Sequence, residues 1–229
     1  MRTKAMQCSY SEEIELAKLR TLTALFREAF GYQPLSFRAG RFGARPYTLV
    51  CLAQLGYLVD TSVTPGINWV LPEGAARFRG APTQPYFPDP ADITRQGSSC
   101  ILEVPVTIHA GGLARLAQAT RGDVLQRGLA LAGLGPTWLR PSYSSVSQMR
   151  RLLDLMCSNS PGDMVVANMM FHSVEFVPGA SPYCRTQRDC DHLLGKLDAT
   201  LKYAAERGFK FSRLSDLYRI YQSPGTARI

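Results

Sequence analysis

The sequence predicts an α/β protein built around a parallel sheet, either open or closed into a barrel. Segments with helical periodicity alternate with short apolar segments typical of buried strands, which is the pattern of a parallel α/β sheet. The composition, 45% hydrophobic and 19% charged residues, is that of an ordinary globular protein. The 229 residues fit one domain, 1–229, because α/β barrels often reach this length as a single unit.

The first predicted helix covers residues 9–30. Ser9 and Glu12 have the spacing of a capping box, and Gly31 provides a stop. The apolar face of this helix is predicted from residues with helical spacing: Ile14, Leu22, Leu25, Phe26 and Ala29.

The elements that follow are predicted from the prolines and glycines at their boundaries. A short extended segment, PLSF, precedes a helix that begins at Pro46 and ends at Gly56, and the strand YLVD comes next. Residues 64–99, rich in proline, glycine and aromatic residues, are predicted to form a long ordered loop insertion, and loops of this length are usually functional.

The second half of the chain continues the alternation. The predicted strands are CILEVPVTI, TWLRPS, the buried strand DMVVANMMFHS and FKFSRL. The predicted helices are residues 113–132, SVSQMRRLLDLMC, RTQRDCDHLLGKLDATLKYAAERG and SDLYRIY.

Charge and cysteine usage restrict the partners and the compartment. The net charge of +8 comes from scattered arginines and lysines, so no nucleic-acid partner is expected. The six cysteines contain no CxxC pair, which favours free, buried thiols in a reducing compartment. The sequence has neither a signal-peptide apolar region nor a stretch of membrane-spanning length, so it predicts a soluble, cytoplasmic protein. A chain trimmed at its N-terminus has the same signature.

Three polar residues stand at the predicted C-terminal ends of strands, where α/β proteins place their active groups. Arg38 follows LSF, Asp60 follows YLV and His172 follows VVANMMF. An acid can hold an imidazole that acts as a general acid, and an arginine can orient a carboxylate. The structural alternatives are that Arg38 caps a loop, that Asp60 is a turn residue and that His172 is a satisfied structural histidine.

Metal binding by this sequence alone is not expected. The three histidines, His109, His172 and His192, show no HxH, HxxxH or HExxH spacing, and no cysteine pair supports a zinc site. The sequence also lacks a GxSxG elbow, a Walker A motif and a GxGxxG following a strand.

Four blocks in order, FRAGRFG, LAQLGYLVDTSVTPG, LEVPVT and NMMFHSVEFVPGASPYCRTQRD, resemble the polysaccharide deacetylase family, the NodB-homology superfamily. The resemblance covers roughly Glu12 to Tyr218. It implies a distorted (β/α) barrel that hydrolyses N-acetyl or O-acetyl groups on sugars of bacterial cell-envelope polysaccharides. It also implies a divalent metal, often zinc, that activates water.

The resemblance assigns roles to several residues. Arg38 matches the arginine that orients the base, His172 the general acid and Asp60 the acid that partners this histidine. Gly40 and Gly43 would shape the loop that admits the arginine.

The base and the metal ligands of that family precede the FRAGRFG block, whereas no aspartate or histidine precedes Arg38 here. The chain therefore resembles the C-terminal two-thirds of such an enzyme, an incomplete barrel, and activity of the chain alone is expected to be absent or very low. Three explanations stay open: a truncated gene, a split enzyme whose second chain completes the barrel, or a non-catalytic relative.

The expected ligand is an acetylated sugar or polysaccharide. Trp69 and Tyr86, in the aromatic loop, are predicted to stack on a sugar ring, and the alternative is that these rings pack the loop itself. A different class of function is also compatible with the basic charge, namely a non-catalytic module that binds a glycan or a polyanion.

Overall fold

The computed structural model of the chain describes residues 4–72, 74–111, 135–160 and 164–222. The protein is a mixed α/β structure whose largest sheet has three parallel strands. The chain divides into two compact units, the first made of Met1–Pro105 and Ser212–Arg228 and the second of Val106–Phe211. The helix predicted over residues 113–132 lies outside the described residues.

The described part of the chain contains α-helices and short strands. The helices are α1 (Glu12–Phe30), α2 (Pro46–Gln54), α3 (Val146–Asn159), α4 (Gln187–Glu206) and α5 (Leu214–Gln222). The strands are β1 (Ser36–Phe37), β2 (Val59–Asp60), β3 (Asn68–Leu71), β4 (Gly74–Arg77), β5 (Pro88–Asp89), β6 (Asp92–Gln96), β7 (Leu102–Glu103), β8 (Ile108–His109) and β9 (Thr137–Trp138).

Helix α1 confirms a predicted helix but not its predicted start. The N-cap is Ser11, so the capping box assigned to Ser9 and Glu12 is wrong. The helix ends as predicted at Gly31, which adopts a left-handed conformation with φ 73° that glycine tolerates without a steric penalty.

The buried face of α1 also differs from the predicted apolar face. Glu15, Leu19 and Thr23 are buried, whereas Ile14, Leu22 and Leu25 are about half exposed. Glu15 is buried because Arg45 and Thr48, at the start of α2, donate hydrogen bonds to its carboxylate. The polar partners on α2 therefore decide which face of α1 turns inward.

The parallel sheet of the first unit has the strand order β1-β2-β7. Its register places Phe37 opposite Asp60 and Asp60 opposite Glu103. The carboxyl ends of the three strands thus meet at one edge of the sheet, where α/β proteins carry their functional side chains.

The segment predicted as a long loop, residues 64–99, contains two antiparallel hairpins. Strand β3 pairs with β4, and β5 pairs with β6. Phe78 is fully buried and Tyr86 almost fully buried, so both rings pack this segment into the first unit. The backbone of this segment therefore satisfies much of its hydrogen bonding in local ladders.

The second unit is built on α3, α4 and the antiparallel pair β8–β9. Capping boxes start both helices, at Ser145 and Thr186. Its buried core is formed by Leu139, Met149, Leu152, Leu153 and Ala204.

Two predicted strands are absent from the described residues. Residues 164–172 form no strand, although the amide of Met170 donates to the carbonyl of Leu139 at 3.1 Å. Residues 209–213 are likewise not a strand, and α5 begins at Leu214. Their apolar residues pack by side-chain contact, as Met169 and Phe209 do against the core of the second unit.

The prediction that all cysteines are free thiols is wrong for two of them. Cys184 and Cys190 form a disulfide that joins the segment before α4 to its first turn. The two cysteines are six residues apart in the sequence, and both are buried. Cys8, Cys51, Cys100 and Cys157 are free, but the predicted burial holds only for Cys51, because Cys100 is exposed and the other two are partly buried.

None of the helices in the described residues is long and apolar enough to cross a membrane.

Candidate functional site

The predicted arginine and the first predicted acid lie at the carboxyl edge of the β1-β2-β7 sheet. Arg38, directly after β1, donates from Nε to the carbonyl of Thr61 at 3.1 Å and from a terminal nitrogen to the hydroxyl of Thr61 at 3.2 Å. Asp60 ends β2 and is completely buried. The structure therefore brings Arg38 and the residues around Asp60 together, as the strand-end argument predicts.

The loop after Arg38 is shaped differently from what the glycines suggested. The positive φ angles belong to Arg41 (54°) and Phe42 (56°), not to Gly40 or Gly43. Gly43 is required for another reason, since a Cβ there would lie 2.9 Å from the Cβ of Met6. Gly40 has open space around it, so only Gly43 permits a close approach of two backbone segments.

Asp60 has a second carboxyl group beside it, Glu103 at the end of β7. Both are fully buried. The Ser62 hydroxyl donates to Asp60 Oδ1 at 2.7 Å, and the amide of Val63 donates to Glu103 Oε1 at 3.0 Å. The remaining oxygens, Asp60 Oδ2 and Glu103 Oε2, are buried with no other donor, and each carboxyl group influences the pKa of the other. Two carboxyl groups that share a buried site in this way are not both ionised, so one of them holds a proton.

The environment places that proton on Glu103. Burial, followed by the neighbouring charge of Asp60, raises the pKa of the Glu103 carboxyl well above its usual value. Burial also raises the pKa of Asp60, against hydrogen bonds from Glu103 and Ser62 that favour its ionised form. The pair is thus a neutral Glu103 that donates to an Asp60 carboxylate.

The predicted histidine belongs to the second unit and has its own carboxylate partner. His172 Nδ1 lies 3.1 Å from Glu175 Oε1, because a 3₁₀ turn at Ser173–Phe176 brings residues three apart onto one side. The side chain of His172 is 63% exposed, whereas that of Glu175 is 2% exposed. The exposed imidazole is therefore held at Nδ1 by a buried carboxylate.

Glu175 has a second partner, Arg140. A terminal nitrogen of Arg140 forms a buried ion pair with Glu175 Oε1, the same oxygen that contacts His172. Burial opposes ionisation of Glu175, but hydrogen bonds from His172, Ser142 and Arg140 outweigh it and lower the pKa of the carboxyl. A buried carboxylate that keeps its charge can fix the tautomer of an imidazole and stabilise an imidazolium.

The two predicted sugar-stacking residues have different surroundings. Tyr86 is buried and donates its hydroxyl to the carbonyl of Ile93, so the prediction that it stacks on a sugar is corrected. Its ring packs the first unit instead. Trp69 is half-buried, stacks on Phe42 with ring centroids 5.2 Å apart and donates to the Thr64 hydroxyl at 2.8 Å. A sugar contact at Trp69 stays a prediction.

The metal that the resemblance implies has no matching ligand set in the described ranges. Within them, no three His, Cys, Asp or Glu side chains lie together where they could hold a metal ion. In the Asp60–Glu103 pair, one oxygen of each carboxyl group already accepts a hydrogen bond, from Ser62 and from Val63. These residues do not fit a metal site, and no step is assigned to a metal.

Sequence reasoning missed Glu103, Glu175 and Arg140. Each had a signal: Glu103 lies within the quoted block LEVPVT, Glu175 is three residues after His172, and Arg140 follows TWL. The predicted pairing of Asp60 with His172 joins residues of the two different units, and it stays a prediction.

Comparison with known proteins gives no match to a family model, to a curated protein sequence or to a solved structure.

Proposed function

We propose that this chain carries the general acid of a hydrolase of the polysaccharide-deacetylase type, which removes N-acetyl or O-acetyl groups from sugars of cell-envelope polysaccharides. The observation that carries the proposal is the exposed imidazole of His172 bonded at Nδ1 to the buried Glu175 carboxylate. An imidazole that transfers a proton and is oriented by a neighbouring carboxylate is an arrangement typical of general acid–base catalysis.

The proposed step is proton transfer at Nε2 of His172. When the tetrahedral intermediate collapses, the bond between the acetyl carbon and the sugar nitrogen breaks, and its electron pair goes to nitrogen. The imidazolium donates its Nε2 proton to that nitrogen, and Glu175 accepts the hydrogen bond from Nδ1 throughout. The products are acetate and a free amine on the sugar. For an ester, the leaving oxygen takes the proton.

The remaining features of the proposal concern architecture. A distorted barrel is supported by the parallel sheet and by the strand-end location of Arg38 and Asp60. A second chain that completes the barrel is supported by β1, which among the described residues has a sheet neighbour on one side only. The half-exposed apolar residues of α1 also favour a partner, for example Leu22 and Leu25.

The substrate class is tested by NMR of the histidine side chains, because the sequence has only three histidines and their signals are easily assigned. Titration with an N-acetylated chito-oligosaccharide is expected to shift the Hε1 signal of His172 and not that of His192, which is exposed on α4. A fully deacetylated oligosaccharide of the same length serves as the matched control ligand. Absence of any His172 shift would contradict the proposal.

A stronger response to a sulfated polyanion, lost as salt is raised, would instead identify a polyanion-binding module. The same chito-oligosaccharide, incubated with the chain and added zinc, is expected to show absent or very low deacetylation. Turnover with stoichiometric zinc that is abolished in His172→Ala would support the hydrolase and overturn the expected low activity.

A further inference from the structure

The guanidinium of Arg140 has three kinds of partner at once. It forms the buried ion pair with Glu175, it donates from Nε to the Ser142 hydroxyl at 2.8 Å, and it lies against two tyrosine rings. Its side chain is only 6% exposed. A charge this deeply buried is stable only where its hydrogen bonds and its counter-charge are in place.

The tyrosine rings form the outer side of this arrangement. The guanidinium carbon lies 3.9 Å from the ring centroid of Tyr143 and 5.5 Å from that of Tyr183. The two rings meet edge to face with centroids 5.7 Å apart, and the Tyr183 hydroxyl donates to that of Tyr143 at 3.3 Å. Cation–π contact strengthens when water is excluded, so the rings both attract the guanidinium and shield it.

Tyr183 is itself fixed in the chain. The amide of Gly179 donates to the carbonyl of Cys184 at 2.8 Å, and Cys184 is bonded to Cys190 in α4. The segment that carries Tyr183 is therefore tied to α4 by the disulfide of the residue that follows it.

We propose that Arg140 is a positioning residue that acts through Glu175 to set the tautomer of His172, and that the Tyr143–Tyr183 pair holds its guanidinium in place. This inference rests on the proposed role of His172 as the proton donor. The guanidinium of Arg140 acts on the carboxylate of Glu175, and this carboxylate acts on the imidazole of His172. Arg140 does not itself contact the ligand.

The physical reason is the charge of Glu175. Hydrogen bonds from His172, Ser142 and Arg140 keep this buried carboxylate ionised, and among these three partners Arg140 alone is permanently charged. An ionised carboxylate only accepts hydrogen bonds. Neutral His172 must therefore carry its proton on Nδ1, which leaves the lone pair on the exposed Nε2. Without the cation, the buried carboxyl takes up a proton and becomes a donor to Nδ1. The histidine proton then moves to Nε2, and the tautomer is reversed.

The test is long-range ¹H–¹⁵N correlation NMR of the histidine side chains at a pH where the imidazoles are neutral. The expected spectrum of the unmodified protein shows the Nδ1–H tautomer at His172. Arg140→Met is expected to shift His172 to the Nε2–H tautomer, and Arg140→Lys to restore part of the Nδ1–H population because it keeps the charge.

Arg150→Met is the matched control, because Arg150 also lies over a tyrosine ring of the second unit, that of Tyr203, at 5.0 Å. It is expected to leave the His172 tautomer unchanged. An unchanged His172 tautomer in a folded Arg140→Met variant overturns the proposal.

If Arg140→Met does not fold, Tyr183→Leu and Tyr183→Phe provide the second test, since Tyr183 is about half exposed. The leucine variant removes the ring and is expected to show a mixture of tautomers, whereas the phenylalanine variant keeps the ring and the Nδ1–H form. Identical Nδ1–H spectra for both variants would refute the role of the tyrosine pair. These results do not depend on turnover, so a failed deacetylase or sugar-binding test leaves the tautomer result intact and refutes only the proposed function.

Discussion

Glu103→Gln is expected to change the pH dependence of stability in the first unit. The folded-state pKa of Glu103 is raised well above its ordinary value of 4.5, chiefly by burial. As the pH rises from 4.5 towards that folded-state pKa, the unfolded chain releases a proton that the folded chain keeps. The folded state therefore loses about 1.4 kcal/mol of stability per pH unit across that window. Below 4.5 the contribution is fully present.

Glutamine at position 103 removes this loss, because it is neutral at every pH. Its amide group can donate to Asp60 where the protonated carboxyl donates, and its oxygen can accept from the amide of Val63. The variant is expected to gain on the unmodified protein by about 1.4 kcal/mol for each pH unit within the window.

Urea unfolding at a series of pH values measures the effect, followed by fluorescence in a Trp138→Phe background so that Trp69 reports on the first unit. Glu28→Gln, an exposed site on α1, is the control and is expected to leave the pH slope unchanged. If the free energy of unfolding has the same pH dependence in Glu103→Gln and in the unmodified protein, the claim that folded Glu103 keeps its proton is refuted.

Three further outcomes follow from contacts in the first unit. Gly43→Ala is expected to destabilise it by about 1–3 kcal/mol, because the new Cβ would lie 2.9 Å from that of Met6, while Gly40→Ala is nearly neutral in the same urea assay. Equal effects of the two substitutions would contradict this. Glu15→Ala is expected to cost about 1–3 kcal/mol, because it removes a buried carboxylate that pairs with the partly exposed Arg45, and a cost below about 1 kcal/mol, as for exposed pairs, would count against it. Leu25→Lys is expected to change stability by less than about 0.5 kcal/mol in the same urea assay, because Leu25 is about half exposed, and a loss above about 1 kcal/mol would show that the residue is packed within the chain.

The carboxyl edge of the sheet was predictable from sequence because it depends on local signals. The strands that end at Phe37 and Asp60 were recognisable, and the ends of parallel neighbours meet at one edge. Glu103 was missed because CILEVPVTI was taken as a single strand, whereas the strand ends at Glu103.

Other features depend on tertiary partners that a linear pattern does not show. The helical period of α1 is visible in the sequence, but its buried side is set by Arg45 and Thr48 acting on Glu15. The partner of His172 depends on the 3₁₀ turn that follows it, so the spacing to Glu175 became informative only with the backbone in view. Arg140 is 35 residues from Glu175 in sequence, and no periodicity links them.

The most direct test of the central claim, that His172 bonded to Glu175 is the proton-transfer group, is the hydrolysis of trifluoroacetanilide, an amide with an activated acyl carbon whose aniline nitrogen must be protonated as it leaves. The account predicts that His172→Gln removes most of the rate above background and that Glu175→Ala lowers it similarly. His192→Gln, which changes an exposed histidine on α4, leaves the rate unchanged. Equal losses in His172→Gln and His192→Gln would contradict the account, because His172 would then react as an ordinary surface imidazole. No loss in either variant would also contradict it, because His172 would then take no part in the reaction.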